Sequence, residues 1–139
     1  MPADCRPAAS SALRKGRQAP WIVAVQRPDL LDRLARMNAE IMGSKGNPYY
    51  DAPTVVLVFA PADSRNAVQD ASCVLENMML AAHALGLGSC WINREIEMFR
   101  TSEGHDLMVR ELGLPEGLTG VGAISLGYPD GAASPCKPR

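Results

Sequence analysis

Residues 54–60 read TVVLVFA, an uncharged and mostly β-branched run in which apolar and polar residues do not alternate. Successive side chains of a strand point to opposite faces, so a strand with one wet face alternates. A strand that is apolar on both sides needs cover on both sides. This run therefore predicts a central strand inside a layered fold, and the rest of the chain must supply the layers.

It has the material to do so. RPDLLDRLARMNAEIM (27–42) predicts a helix, with Pro28 in its first turn and Asp29 at the positive end of its dipole. Leu30, Leu31, Leu34, Met37, Ile41 and Met42 recur on its apolar face. A second helix falls within 67–85, with Val74, Leu75, Met78, Met79, Ala82 and Leu85 as its buried side. A third covers roughly 95–112, weakened in its middle by Gly104. WIVAVQ (21–26), SCWIN (89–93) and VGAISLGY (121–128) are further strands. GSKGNPYYDAP (43–53) is a loop, PADSRN (61–66) a turn, residues 1–20 coil and residues 129–139 an irregular basic tail. Strands separated by helices predict an α/β or α+β sandwich in one domain over 1–139, built around a mixed sheet of about four strands covered by three helices.

Composition narrows the function. Aromatics are only 5% of the residues, so the core is aliphatic, and the net charge of −1 leaves no basic excess for a nucleic acid. Arg6, Arg14, Lys15 and Arg17 crowd one end, while Lys137 and Arg139 close the other. Two basic ends on a neutral body could clasp one anion, or both could be solvated tails. Cysteines 5, 73, 90 and 136 include no C-x-x-C pair, and Cys73 and Cys90 read as small buried apolar residues. The start lacks the apolar core of a secretory signal, and no apolar stretch approaches the roughly twenty residues that span a bilayer. These features predict a reduced, cytoplasmic protein with no membrane partner.

The stretch LENMMLAAHALGLGSCWINR (75–94) bears most on chemistry. Gly86 suits the left-handed residue that ends a helix, and Gly88 lets the chain turn into a strand. Strand alternation would bury Cys90 with Ile92 and turn Trp91 and Asn93 the other way. A flat indole beside the Asn93 amide and the Arg94 guanidinium suits a planar, hydrogen-bonding ligand, although a Trp in such a strand is more commonly just core. The glycines are no dinucleotide fingerprint, since they follow a helix instead of opening one. No phosphate-cradling G-x-x-x-x-G-K-[ST] loop occurs. His83 and His105 have no carboxylate at metal-site spacing, so no metal site is expected. Glu76, Glu95, Glu97, Glu103, Asp106 and Glu111 read as solvated helix faces and first-turn charges, not as paired acid and base.

Four stretches, in order, resemble the nitroreductase family of FMN-dependent oxidoreductases: SALRKGRQAPWIVAV (11–25), MNAEIMG with NPYYDAPTVVLVFA (37–43 and 47–60), DASCVLENMMLAAHALGLGSCWINR (70–94), and LGYPDG with the terminal K-P-R (126–131, 137–139). The resemblance implies an α+β, nitroreductase-like fold with a mixed, mostly antiparallel sheet of about four strands, FMN at a homodimer interface and NAD(P)H as reductant. Carried over, it implies donors near the flavin N5 from Asn93 and Arg94, after the strand Cys90–Trp91–Ile92. Gln18 and the loop Arg14–Lys15–Gly16 would line the ring, and Lys137 and Arg139 would hold the phosphate. No catalytic side chain is implied, because the flavin carries the chemistry.

The chain departs from the pattern at Ser11-Ala12, where A-P is usual. It also lacks the R-R-S-x-R arm that precedes the pattern and the extension that follows it. These departures predict an N-terminally truncated member. The resemblance implies reduction of nitroaromatic, quinone or similar flat acceptors by a ping-pong cycle. The rival expectation is a non-catalytic flavin-fold protein, acting as an interaction or structural module or surviving as an inactive fragment.

Overall fold

A computed structural model describes residues 6–7 and 19–131. The elements are β1 (Arg6–Pro7), β2 (Trp21–Val25), α1 (Pro28–Met42), β3 (Thr54–Pro61), α2 (Ala67–Ala84), β4 (Gly88–Ile92), α3 (Glu95–Arg100), α4 (Ser102–Asp106), a π-helical turn (Leu107–Glu111) and β5 (Leu118–Gly127). The sheet order is β1-β2-β3-β5-β4. Every pairing in it is antiparallel. The four anticipated strands are all present. A fifth, the two-residue β1, pairs with β2 inside the segment expected to be coil. No described helix is long and apolar enough to cross a membrane.

The TVVLVFA run has the double cover it requires. Val55, Leu57 and Phe59 face one core with Leu30, Leu34 and Met37 of α1 and with Met98 and Phe99 of α3. Val58 and Ala60 face a second core with Ala71, Val74 and Leu75 of α2. β3 is thus the wall between two cores. Phe59 meets Phe99 edge-to-face, with ring centroids 4.8 Å apart and planes at 66°. Phe59→Leu keeps the site apolar but loses that contact and some volume. It is expected to cost about 1–2 kcal/mol by urea denaturation.

β3 and β5 do not run in simple register. Val58 pairs with Gly122 and Phe59 with Gly120, so Val121 is an extra residue on β5. This bulge sits between two glycines that make close approaches. A Cβ on Gly120 would lie 2.7 Å from the Glu95 carbonyl oxygen, and one on Gly122 would lie 2.9 Å from Leu75 and 3.0 Å from the Trp91 indole nitrogen. The absence of side chains there lets α3 settle on one face of β5 and Trp91 on the other.

Three expectations about helices need correction. Ile41 and Met42 are 41% and 46% exposed, because they lie in the last turn of α1 where the core has ended. Leu85 is 77% exposed, since it is the residue on which α2 closes and not part of its buried stripe. The continuous helix expected over 95–112 is broken at Thr101, whose backbone is extended (φ −69°, ψ 157°). The Thr101 hydroxyl donates to the Met98 carbonyl at 2.7 Å and accepts from the Gly104 N–H at 3.0 Å, ending one helix and capping the next. Arg33 and Arg36 of α1 pair with Glu103, holding its carboxyl below the usual range and tying α1 to α4.

Candidate functional site

The end of α2 is built as the sequence predicts. Gly86 is left-handed (φ 73°), its N–H bonds to the His83 carbonyl at 3.0 Å, and the Leu87 N–H returns to Ala82 at 2.9 Å. This pair of bonds satisfies carbonyls that the helix leaves open and turns the chain directly into β4. Gly88 pairs with Gly127 and Ile92 with Ala123, making β4 the outer strand beside β5.

Alternation along β4 separates the anticipated site residues. Trp91 turns toward the α2 core and is half-buried there. Ile92 is buried in the opposite core with α1 and α3. Cys90 shares the face of Ile92 but is exposed, which corrects the expectation of a buried thiol. The cover on that face stops short of it. Instead Cys90 borders an open groove of about 410 Å³, together with Tyr50, Pro53, Ser125 and Tyr128. Cys73, also expected to be buried, is exposed on α2. A planar ligand lying on one face of β4 therefore meets Trp91 or Cys90, not both.

Beyond Ile92 the chain makes one tight turn. Asn93 is exposed, and Arg94 adopts a left-handed backbone (φ 84°), an uncommon conformation for a residue with a Cβ. Arg94 is the N-terminal cap of α3, its carbonyl accepting from the Met98 N–H at 2.9 Å. The turn is held from beneath. Asn38 of α1 is fully buried, and its side-chain amide donates to the Asn93 carbonyl at 2.9 Å. The oxygen of the same amide accepts from Arg94 Nε at 2.8 Å. One amide thus grips both residues of the turn, and the Arg94 guanidinium is partly committed inward.

Behind Asn38 lie Tyr49 and Glu95, 2% and 1% exposed. The Tyr49 hydroxyl donates to Glu95 Oε1 at 2.9 Å. Asn38 Nδ2 also approaches the Tyr49 oxygen at 3.3 Å and Glu95 Oε1 at 3.4 Å. Glu95 Oε2 is buried and has no hydrogen-bond partner among the described residues. An unpaired buried polar atom costs roughly 1–3 kcal/mol. Burial lifts the Glu95 carboxyl to about 8, reinforced by Glu97 and opposed by the Tyr49 hydrogen bond, the backbone N–H of Glu95 itself and the charge of Arg94. Burial, and then the neighbouring Glu95, push the Tyr49 phenol up as well. Glu95 does stand in the first turn of its helix, as expected, but the expectation of a solvated side chain is wrong. Its helix begins under the sheet, and its side chain points to the interior.

The sequence reading missed all three of these buried residues. Asn38 carried a signal, because it stands four residues after Leu34 on an otherwise apolar stripe. Tyr49 sat within a loop, and Glu95 in a run of acidic residues, so neither stood out. The anticipated Arg14, Lys15, Gly16, Gln18, Lys137 and Arg139 lie outside the described residues. His105 pairs with Glu116 at 2.8 Å. Among the described residues, no three His, Cys, Asp or Glu side chains gather as a metal site would require.

The chain is similar in sequence and in fold to known proteins. A protein of Archaeoglobus fulgidus, provisionally named NADH dehydrogenase/NAD(P)H nitroreductase, is 32% identical over 88% of this chain and 68% of its own length. A protein of Methanothermobacter thermautotrophicus with the same provisional name is 26% identical over 81% of this chain, which spans only 56% of that relative. The crystal structure of a Bacteroides fragilis nitroreductase with bound FMN superposes with a TM-score of 0.83 at 28% identity, covering 96% of this chain and 78% of that one. The family model for nitroreductases matches residues 5–128, and the chain belongs to the nitroreductase family.

Proposed function

We propose that the chain is an FMN-dependent oxidoreductase. It takes reducing equivalents from NAD(P)H and passes them to a nitroaromatic, a quinone or a similar flat acceptor in a ping-pong cycle. The observation that carries this reading is the likeness to the FMN-bound nitroreductase of Bacteroides fragilis over nearly the whole chain. The residues at the end of β4 fit a flat ring: β4 is an outer strand, Trp91 is half-buried beside it, and Asn93 is exposed on a turn fixed from below. Val68, Leu80 and Leu85 of the neighbouring helix segment are exposed apolar side chains, as suits a second copy packed against α2. The reading is of a single domain over 1–139 that works as a cytoplasmic homodimer with FMN at the interface.

FMN, when bound, supplies the hydride and electron transfer. The protein's part is position and charge. Polar hydrogens of the Asn93–Arg94 segment would face N5, and Trp91 would support the ring from the end of β4, with Ile92 fixing the strand from the opposite core. The loop Arg14–Lys15–Gly16 with Gln18 would line the pyrimidine edge, where donors stabilise the negative charge that reduction brings. Lys137 and Arg139 would hold the phosphate through charge-assisted hydrogen bonds.

The test is direct. Purified full-length protein is expected to show flavin absorbance, to gain thermal stability from added FMN, and to oxidise NAD(P)H when an acceptor is present. Colourless protein whose melting temperature ignores excess FMN would refute the reading and favour a non-catalytic module. The combined Lys137→Ala and Arg139→Ala change is expected to weaken FMN binding by about 10²-fold or more, at roughly 1.5–3 kcal/mol per charged contact, with apoprotein stability unchanged. Unaltered affinity would leave the tail a solvated one.

A further inference from the structure

We propose that Asn38, Tyr49 and Glu95 form a buried positioning cluster for the Asn93–Arg94 turn, so that the contact surface offered to the cofactor is set from the interior and not by the exposed residues alone. The inference rests on the reading above. None of the three side chains is an exposed contact residue. Asn38 and Glu95 belong to different helices, and Tyr49 to the loop between α1 and β3, yet they meet within hydrogen-bond distance beneath one peptide. Asn38 holds the backbone of Asn93 and the side chain of Arg94 with the two ends of a single amide.

Two features are hard to reconcile with a role in packing alone. The left-handed Arg94 is a conformation that persists only where its surroundings over-determine it, and Asn38 supplies that constraint. Glu95 keeps one oxygen buried without a partner among the described residues, where an aliphatic side chain would fill the space at no such penalty. Glu95 also follows Arg94 directly, so its buried side chain fixes the backbone at the end of the turn. Tyr49 extends the cluster outward. Its backbone carbonyl accepts from Ser125 Oγ at 2.9 Å, which anchors the 47–53 loop to β5. The turn is thereby referenced to α1, to the loop and to the sheet at once.

The experiment compares FMN dissociation constants, read by flavin fluorescence quenching on the full-length apoprotein, with amide hydrogen exchange of residues 93–95 in that same apoprotein. Asn38→Ala is expected to raise the FMN Kd about tenfold or more and to speed exchange at 93–95 relative to β3 amides. Glu95→Gln, which keeps the shape and the acceptor oxygen, is expected to hold both within about threefold of wild type at pH 6. Where Asn38→Ala does not fold, Tyr49→Phe, which removes one hydroxyl, takes its place with the same sign of effect. Variants that lose stability but bind FMN as wild type does, with exchange at 93–95 following that of β3, would overturn the inference while leaving the oxidoreductase reading intact. A wild-type chain that binds no FMN would overturn both.

Discussion

At pH 8.5 the Glu95→Gln protein is expected to be more stable than wild type by about 4 kcal/mol, whereas at pH 4 it is expected to be the less stable of the two by about 1 kcal/mol. In the unfolded chain the carboxyl titrates near 4.5; folding buries it and lifts it to about 8. Between those values the folded protein keeps a proton that the unfolded chain has released. Stability therefore falls as pH rises through this window, at about 1.4 kcal/mol per unit of pKa difference. The contribution is complete below about 4.5 and is lost once pH passes the folded value. Glutamine does not titrate, so the difference between the proteins isolates this one group. At pH 4 glutamine exchanges a neutral carboxyl for an amide whose N–H lacks an acceptor where Oε2 has none, hence the small reversed effect. Urea denaturation of both proteins across pH 4–8.5 checks it. Parallel stability curves would mean that Glu95 is already charged when folded.

The second large effect is steric. Gly104→Ala is expected to cost about 3 kcal/mol or more, or to prevent folding. A Cβ there would lie 2.1 Å from the Met98 carbonyl oxygen and 2.8 Å from both the Met98 carbonyl carbon and Phe99 Cα. All three are backbone atoms of α3, and none can turn aside as a side-chain tip can. The Met98 carbonyl already accepts from the Thr101 hydroxyl that caps α4, so displacing it breaks the cap as well. Added volume in a well-packed site typically costs about 1–3 kcal/mol, and a backbone collision lies at or beyond the upper end. Gly46→Ala is the control: its nearest neighbour would be the Ser44 hydroxyl at 3.7 Å, and a change within about 1 kcal/mol is expected. Equal denaturation midpoints for the two variants would show that α3 can move away from α4.

These two residues also show where the sequence was legible. Regular hydrophobic patterns located β2, β3, β4, β5, α1 and α2, because burial on one face or both leaves a periodic trace. The glycine that ends α2 was legible too, since few residues other than glycine adopt that turn easily. Gly104 was read as a weakness in a helix, when it marks two helices crossing closely; a close approach between elements writes no local period. Glu95 was read from its acidic neighbours, and what buries it is α1 and the 47–53 loop, more than forty positions earlier in the chain. Of the anticipated site, alternation foretold the separation of Trp91 from Cys90 and Ile92. It could not foretell that Cys90 borders a groove, because the extent of cover on an outer strand depends on what packs there. The basic residues carried over to the flavin ring edge and phosphate, apart from Arg94, fall outside the described residues, so their place in the site stays with the proposal.

The bulge between β3 and β5 has a bearing on how the sheet aligns. Strands with one wet face are kept in register by polarity, since a slip of one residue would turn apolar groups to water. β3 is apolar on both sides and has no such safeguard: Val56 and Val58 would sit nearly as well where Val55 and Leu57 do now. Shape takes over that task. The notches at Gly120 and Gly122 admit Phe99 and the Trp91 indole, and Val121 stands between them like the tooth of a key. A β5 strand folded one step out of line would bring Val121 or Ala123 against the Trp91 indole where there is now only hydrogen, so misalignment is refused by collision and not by solvation.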